Sequence, residues 1–312
     1  MSELKLLHES VVGESEIDSL GHMNVRFYVA RAANAHFGLL ESLGIKSGAG
    51  QAMRRTDTYN RFHKEQFEGA FLGVFGGLIS VESSDGVSGY YEIRNLETND
   101  LAASFVMTGH IIDAESEEIQ ETVLPAEVME ANRVELPEYG RPRTLKLLPP
   151  RQVSIEEVGA LIPESAKPFS MNGRREGLVL PEDCDETGRL KESIDPMVVL
   201  FRPQPGQDLK KMGPPVTHDE HGRRYAFAMM EIRNLNWRRP REGETVLSMS
   251  ADVDFGEKWR HTRRWIFAKE SGTLLGISDH AAVCMDLDAR KAIPLPAEVR
   301  EEIERTCLPD YA

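Results

Sequence analysis

The sequence predicts an α+β protein of two tandem copies of one domain, each an antiparallel sheet wrapped around a long central helix, the two sheets pairing into one extended sheet. Three observations predict it. Leu124-Pro125-Ala126-Glu127-Val128 recurs 171 residues later as Leu295-Pro296-Ala297-Glu298-Val299, near the end of each copy. Asn24 to Leu43 reads as one long helix with an apolar majority. Leu247, Met249, Ala251, Val253 and Phe255 alternate with Ser248, Ser250, Asp252 and Asp254, the period of a half-buried strand.

The elements follow in chain order. Asn24 suits a helix N-cap, because its side-chain oxygen can accept from an orphan amide, and Gly44 suits the left-handed residue after the last turn. Phe27, Tyr28, Ala32, Ala35, Leu39, Leu40 and Leu43 make that helix a buried one. Phe71 to Val81, Tyr90 to Leu96 and Ala102 to Ile112 read as strands, with Gly86 and Gly89 marking a turn. Pro137, Pro142, Pro149, Pro150, Pro163 and Pro168 then mark a linker that holds a short helix at Ser154 to Leu161. In the second copy the strands are 247–255, Arg260 to Ala268 and Leu275 to Leu287. Further pairs keep the repeat's order: Asp18-x-x-Gly21 with Asp185-x-x-Gly188, Gly69 with Gly243, Leu101 with Leu274 and Asp113 with Asp286. The domains are therefore 1–148 and 149–312.

Composition narrows the function. A net charge of −14 argues against a nucleic-acid partner. The three cysteines, Cys184, Cys284 and Cys307, are scattered and odd in number, which fits a reducing compartment better than a disulfide framework. No secretory leader is read in Met1 to Glu16, and no apolar run is long enough for a membrane helix. The expectation is a cytoplasmic protein.

Chemistry concentrates in Glu16-Ile17-Asp18-Ser19-Leu20-Gly21-His22-Met23-Asn24-Val25-Arg26-Phe27-Tyr28. An acidic side chain sits in a turn just ahead of a helix, whose start offers free amides and the positive end of the dipole. A carbonyl oxygen resting on the amides near Asn24 to Arg26 would be polarised there. The bland reading is that Asp18 and Asn24 are turn and cap residues and His22 a packed loop histidine. The stretch resembles the D-x-x-G-H-x-N-N-x-x-Y signature of the 4-hydroxybenzoyl-CoA thioesterase-like branch of the hotdog superfamily. Asp18, Gly21, His22, Asn24 and Tyr28 fit in place, and Val25 stands where the pattern has a second Asn. The resemblance implies tandem hotdog domains and thioester hydrolysis, with Asp18 as nucleophile or general base, helped by His22 and Asn24. It implies substrate contacts at Gly21, Val25, Tyr28, His63 and Glu65, with no metal and no cofactor.

The second copy departs from the motif, with Arg189, Leu190 and Lys191 after Gly188 and with Pro196 expected to break the following segment early. That predicts a degenerate second site whose Asp185 is structural. Two arginine groups, Arg233 to Arg241 around Trp237 and Arg260 to Arg264 between Trp259 and Trp265, are candidates for the nucleotide end of CoA. His218 and His221 lack an evident third metal ligand. The substrate is an acyl-CoA or acyl-carrier thioester. Two alternatives remain: a non-catalytic acyl-thioester binding protein, and a hotdog hydratase or dehydratase, whose D-x-N-x-x-H pattern is not found. Homo-oligomer assembly is left open.

Overall fold

The computed structural model describes residues 3–45, 51–82, 86–113, 115–120, 125–162, 173–192, 194–202 and 216–312, without the side chains of 80–82. Leu124 of the repeat and Pro163 and Pro168 of the linker lie outside the described residues.

The chain opens with β1 (Lys5–Val11), then α1 (Val25–Ser42), β2 (Gln51–Phe62), β3 (Phe71–Glu82), β4 (Gly86–Asn95), β5 (Leu101–Asp113) and the short β6 (Ile119–Gln120). Two small helices, α2 (Ala126–Asn132) and α3 (Ile155–Leu161), precede β7 (Gly173–Leu178) and α4 (Pro196–Leu200). The rest is β8 (Thr217–His218), β9 (Arg224–Asn236), β10 (Thr245–Phe255), β11 (Trp259–Ala268), β12 (Thr273–Asp286), β13 (Lys291–Ala292) and α5 (Ala297–Thr306).

One antiparallel sheet carries the main path β1-β3-β4-β5-β2-β9-β12-β11-β10-β7. Read outward from the β2–β9 seam, both halves give the same order. The seam pairs Asp57 with Leu235 through Arg61 with Glu231. Arg233 crosses it to Asp57 at 2.8 Å. Glu231, 1% exposed, accepts from the Tyr59 hydroxyl at 3.0 Å and from the Thr144 and Leu145 amides at 2.9 and 3.1 Å. A buried carboxylate must be met by such donors, and these ones pin the proline-rich linker over the seam.

α1 forms where the sequence places it. Asn24 caps it by accepting from the Arg26 amide at 3.2 Å, and Gly44 follows at φ +83°. Its Tyr28, Ala32, Leu39 and Leu40 pack on Leu72, Val74, Leu78, Ile93, Phe105 and Met107 of the sheet. Gly76 of β3 serves this packing: a Cβ there would run into the Tyr91 ring. The repeated Leu-Pro-Ala-Glu-Val segments start α2 and α5, with Pro125 and Pro296 at the cap positions.

Several expectations need correction. β1, β2, β7 and β9 are strands that the sequence pattern did not reveal, and Gly86 and Gly89 lie within β4 rather than in a turn. Pro196 begins α4 at the first helical position, where a missing N–H is harmless, so it is not what shortens the segment after the second motif. α4 nevertheless ends at Leu200 after five residues against eighteen in α1, so the long central helix expected in the second copy is not seen among the described residues. No helix among the described residues is long and apolar enough to cross a membrane.

Candidate active site

The motif loop is built by short-range bonds. The Asp18 amide donates to the His22 carbonyl and the Gly21 amide to the Asp18 carbonyl, both at 3.0 Å. Gly21 closes this turn at φ +82°, a region that strains any residue with a Cβ. The loop is then tied down at both ends. Glu16 pairs with the buried Arg31 of α1 at 2.8 Å, and the Met23 amide donates to the Gln66 carbonyl at 2.7 Å. Arg31 also holds the Ser10 hydroxyl of β1 at 2.8 Å. Sheet, loop and helix are thus fixed to one another around residue 18.

Asp18 is 9% exposed. Its Oδ1 accepts from the Leu20 amide at 2.9 Å, and its Oδ2 lies 3.6 Å from His22 Nδ1. On the other side of that ring, Nε2 lies 3.5 Å from Glu65 Oε1. Glu65 Oε2 pairs with Arg290, which arrives from the C-terminal half. The arrangement is a carboxylate, an imidazole, a second carboxylate and a guanidinium in series. Of the helix-start amides expected to polarise a carbonyl, two are occupied. Asn24 N–H donates to the Glu16 carbonyl at 2.9 Å, and Arg26 N–H is taken by the Asn24 cap. The Val25 N–H has no acceptor among the described residues.

The other sequence candidates divide. Tyr28 is buried beside the loop, where its hydroxyl accepts from the Gln66 amide at 3.0 Å and burial raises its pKa. Its ring meets Phe62 edge-on at 5.7 Å. His63 lies elsewhere, with Nε2 2.9 Å from the Ser104 hydroxyl and its ring 6.3 Å from Tyr139. Burial pushes its pKa down to about 4. Most of the arginines proposed for phosphate are spent on carboxylates: Arg238 on Glu244, Arg260 on Asp252 and Arg263 on Asp279. Arg290 escaped sequence reading. Its only signal was the Asp113–Asp286 pair of the repeat, since each Asp opens the turn that carries a charged residue toward the other half.

The C-terminal half holds a counterpart with its charges exchanged. The Asp185 amide donates to the Arg189 carbonyl at 2.8 Å and Gly188 N–H to the Asp185 carbonyl at 3.0 Å, as around Asp18. Arg189 stands where His22 stands. Arg239 takes the ground of Glu65, 2.6 Å from Asp185 Oδ2. Glu117 replaces Arg290 and meets Arg189 at 3.1 Å and Arg239 at 3.4 Å. Glu117 and Arg290 share a left-handed backbone, at φ +62° and +54°. Burial works to raise the Asp185 carboxyl, but bonds from Thr187 and Arg239 outweigh it and hold the pKa low. The N-cap of this half is Asp195, which accepts from the Met197 amide at 2.9 Å, and not Lys191. The loop is longer here.

No protein-family model matches the sequence, and no curated protein matches it. Solved structures do. A 12:0-ACP thioesterase from Umbellularia californica aligns with a TM-score of 0.58 and 8% identity, covering 89% of this chain and 93% of that one. An acyl-ACP thioesterase from Bacteroides thetaiotaomicron aligns at 0.55 and 8% identity, covering 88% and 96%. At such identities the likeness shows the fold, and the fold is hotdog.

Proposed function

We propose that the chain is a thioesterase that hydrolyses an acyl-CoA or acyl-carrier thioester at the Asp18 site. One observation carries the reading: a nearly buried carboxylate, backed by His22 and Glu65, stands in the turn before a helix whose first amide is free. The hotdog neighbours, which include acyl-ACP thioesterases, support it. So does the motif that Asp18, Gly21, His22, Asn24 and Tyr28 carry. The chain is read as a tandem double hotdog with domains 1–148 and 149–312, supported by the equal strand order on both sides of the seam. Three free cysteines agree with action in the reducing cytoplasm.

In this reading the thioester oxygen rests on the Val25 N–H and the dipole of α1, which stabilise the negative charge that develops on it. Asp18 either attacks the carbonyl carbon or removes a proton from an attacking water. Attack breaks the C–S bond, expels the thiolate and leaves an acyl-aspartyl anhydride, which water then cleaves to the free acid. Activation of water forms the acid in one displacement. Each route consumes one water and delivers one proton to the thiolate. His22, held between two carboxylates, orients Asp18 and carries that proton. The C-terminal site lacks an imidazole, and its Asp185 is engaged by Arg239, so it serves as a structural counterpart.

The test is release of free thiol from a panel of acyl-CoAs, read with a thiol reagent. Turnover of at least one thioester is expected; binding without thiol release would favour an acyl-thioester binding protein instead. A single turnover in ¹⁸O-water separates direct water attack from an anhydride that water opens at the aspartyl carbonyl, since only the latter leaves label in the Asp18 carboxylate.

A further inference from the structure

The face of β2 that looks at α1 is unlike the rest of that surface. Arg55, Thr58, Asn60 and Phe62 pair with Gly109, Met107, Phe105 and Ala103 of β5. The last three belong to the core beneath α1. A Cβ on Gly109 would reach His36 and Leu40 of the helix, so the β2 row faces α1 as well. On β3, β4 and β5 this face is apolar: Leu72, Val74, Leu78, Ile93, Phe105 and Met107. On β2 it is polar for most of its length. Thr58 and Asn60 are 0% exposed and Arg55 2%. Opposite them stands His36, also 0% exposed.

Along this row six buried polar atoms have no hydrogen-bond partner: Thr58 Oγ1, Asn60 Nδ2 and Oδ1, Arg55 Nε and Nη1, and His36 Nε2. Buried donors and acceptors are nearly always met, and a guanidinium buried beside unmet amide and hydroxyl groups is costly. A cluster of them on two facing walls calls for a polar guest. The row also starts at the candidate active site. Phe62 touches Tyr28, whose hydroxyl is bonded to the segment that holds the motif loop. From Phe62 the strand runs inward, reaching Thr58 after roughly 13 Å at ~3.3 Å per residue. An acyl group held at Asp18 and Val25 would meet this row if it ran between α1 and β2.

We propose that the acyl group this site selects carries oxygen along its chain, as hydroxyl or carboxyl functions bound by Thr58, Asn60 and Arg55, and is not a plain alkyl chain. The inference rests on the thioesterase reading and names its substrate class. A site built to bond such oxygens rejects the chain that lacks them, because its own groups are then left unmet.

The experiment uses the full chain with octanoyl-CoA, hydroxyoctanoyl-CoA and suberyl-CoA. Thiol release and calorimetric binding are both read, for the natural protein and for a Thr58→Val, Asn60→Leu variant. The oxygenated acyl-CoAs are expected to exceed octanoyl-CoA by about 10²-fold or more in kcat/KM, and the variant to lose most of that preference. The hydroxylated and dicarboxylic arms show whether Thr58 and Asn60 or Arg55 dominates. Turnover that favours octanoyl-CoA in the natural protein would overturn the inference and leave the thioesterase reading standing. Selective binding of the oxygenated acyl-CoAs without thiol release would do the reverse. Neither binding nor turnover of any acyl-CoA would overturn both. An unchanged preference in a folded variant would remove Thr58 and Asn60 from recognition.

Discussion

At Asp18 the two carboxyl oxygens have separate duties. Oδ1 accepts from the Leu20 amide and fixes the side chain in its turn, while Oδ2 is left toward His22. A turn residue needs only the first of these bonds, so the second contact is what raises Asp18 above a structural role. Magnitude separates it from Arg290. The Arg290–Glu65 pair is exposed, with 61% of one side chain and 38% of the other in solvent, and exposed pairs are worth ~0.2–1 kcal/mol. Such an energy moves a rate by at most about fivefold. A lost general base costs about 10²–10⁴-fold. Arg290→Ala should therefore lower kcat/KM by no more than about fivefold, and less in high salt. A loss of a hundredfold, measured by initial rates, would promote Arg290 to direct contact with the substrate.

At the scale of elements, α1 positions everything that follows. At its N-cap one sequence candidate does two jobs, since the Asn24 oxygen that orders the helix start also withdraws Arg26 N–H from the site. Asn24→Ala should cost about 1 kcal/mol of stability, read from urea denaturation, whereas an unchanged midpoint would mean that the cap bond is idle. This helix, its cap and its closing glycine were legible, because they depend on short-range chemistry. So were β3, β5 and β10 to β12, β10 most plainly, because its apolar residues recur with the strand period. The seam strands were not. β2 carries Arg54, Arg55, Asp57, Asn60 and Arg61, and polar residues buried by a partner half look, in sequence, like a solvated loop. β9 was hidden differently: Tyr225 to Met230 is an unbroken apolar run without the strand alternation, and its Arg233 was counted among the phosphate candidates. Pro196 misled because proline both breaks helices and starts them. The Asp18–His22 contact lay within the motif, but Arg290 joins it from far along the chain, and no local pattern encodes that.

The whole molecule is one sheet with two chemically opposite sites, each completed by a turn from the other half. Its buried titratable groups should show in its response to acid. Burial pushes His36 and His280 down to about 3, below an unfolded value near 6.5. The unfolded chain then binds more protons between these values, so each histidine lowers stability as pH falls through that window, by up to about 1.4 kcal/mol per unit. Burial raises Glu192 to about 7, which acts in the opposite sense and offsets part of this. His36→Gln should flatten the loss of stability between about pH 6 and pH 5 in denaturant titrations; an unaltered slope would contradict the burial of a neutral His36. The central claim, that chemistry belongs to the N-terminal site alone, is tested most directly by comparing thiol release from acyl-CoA by Asp18→Asn and Asp185→Asn. The account predicts a drop of about 10²–10⁴-fold for the first, with the fold kept by circular dichroism, and near-natural turnover for the second whenever it folds. Full turnover by Asp18→Asn would contradict it.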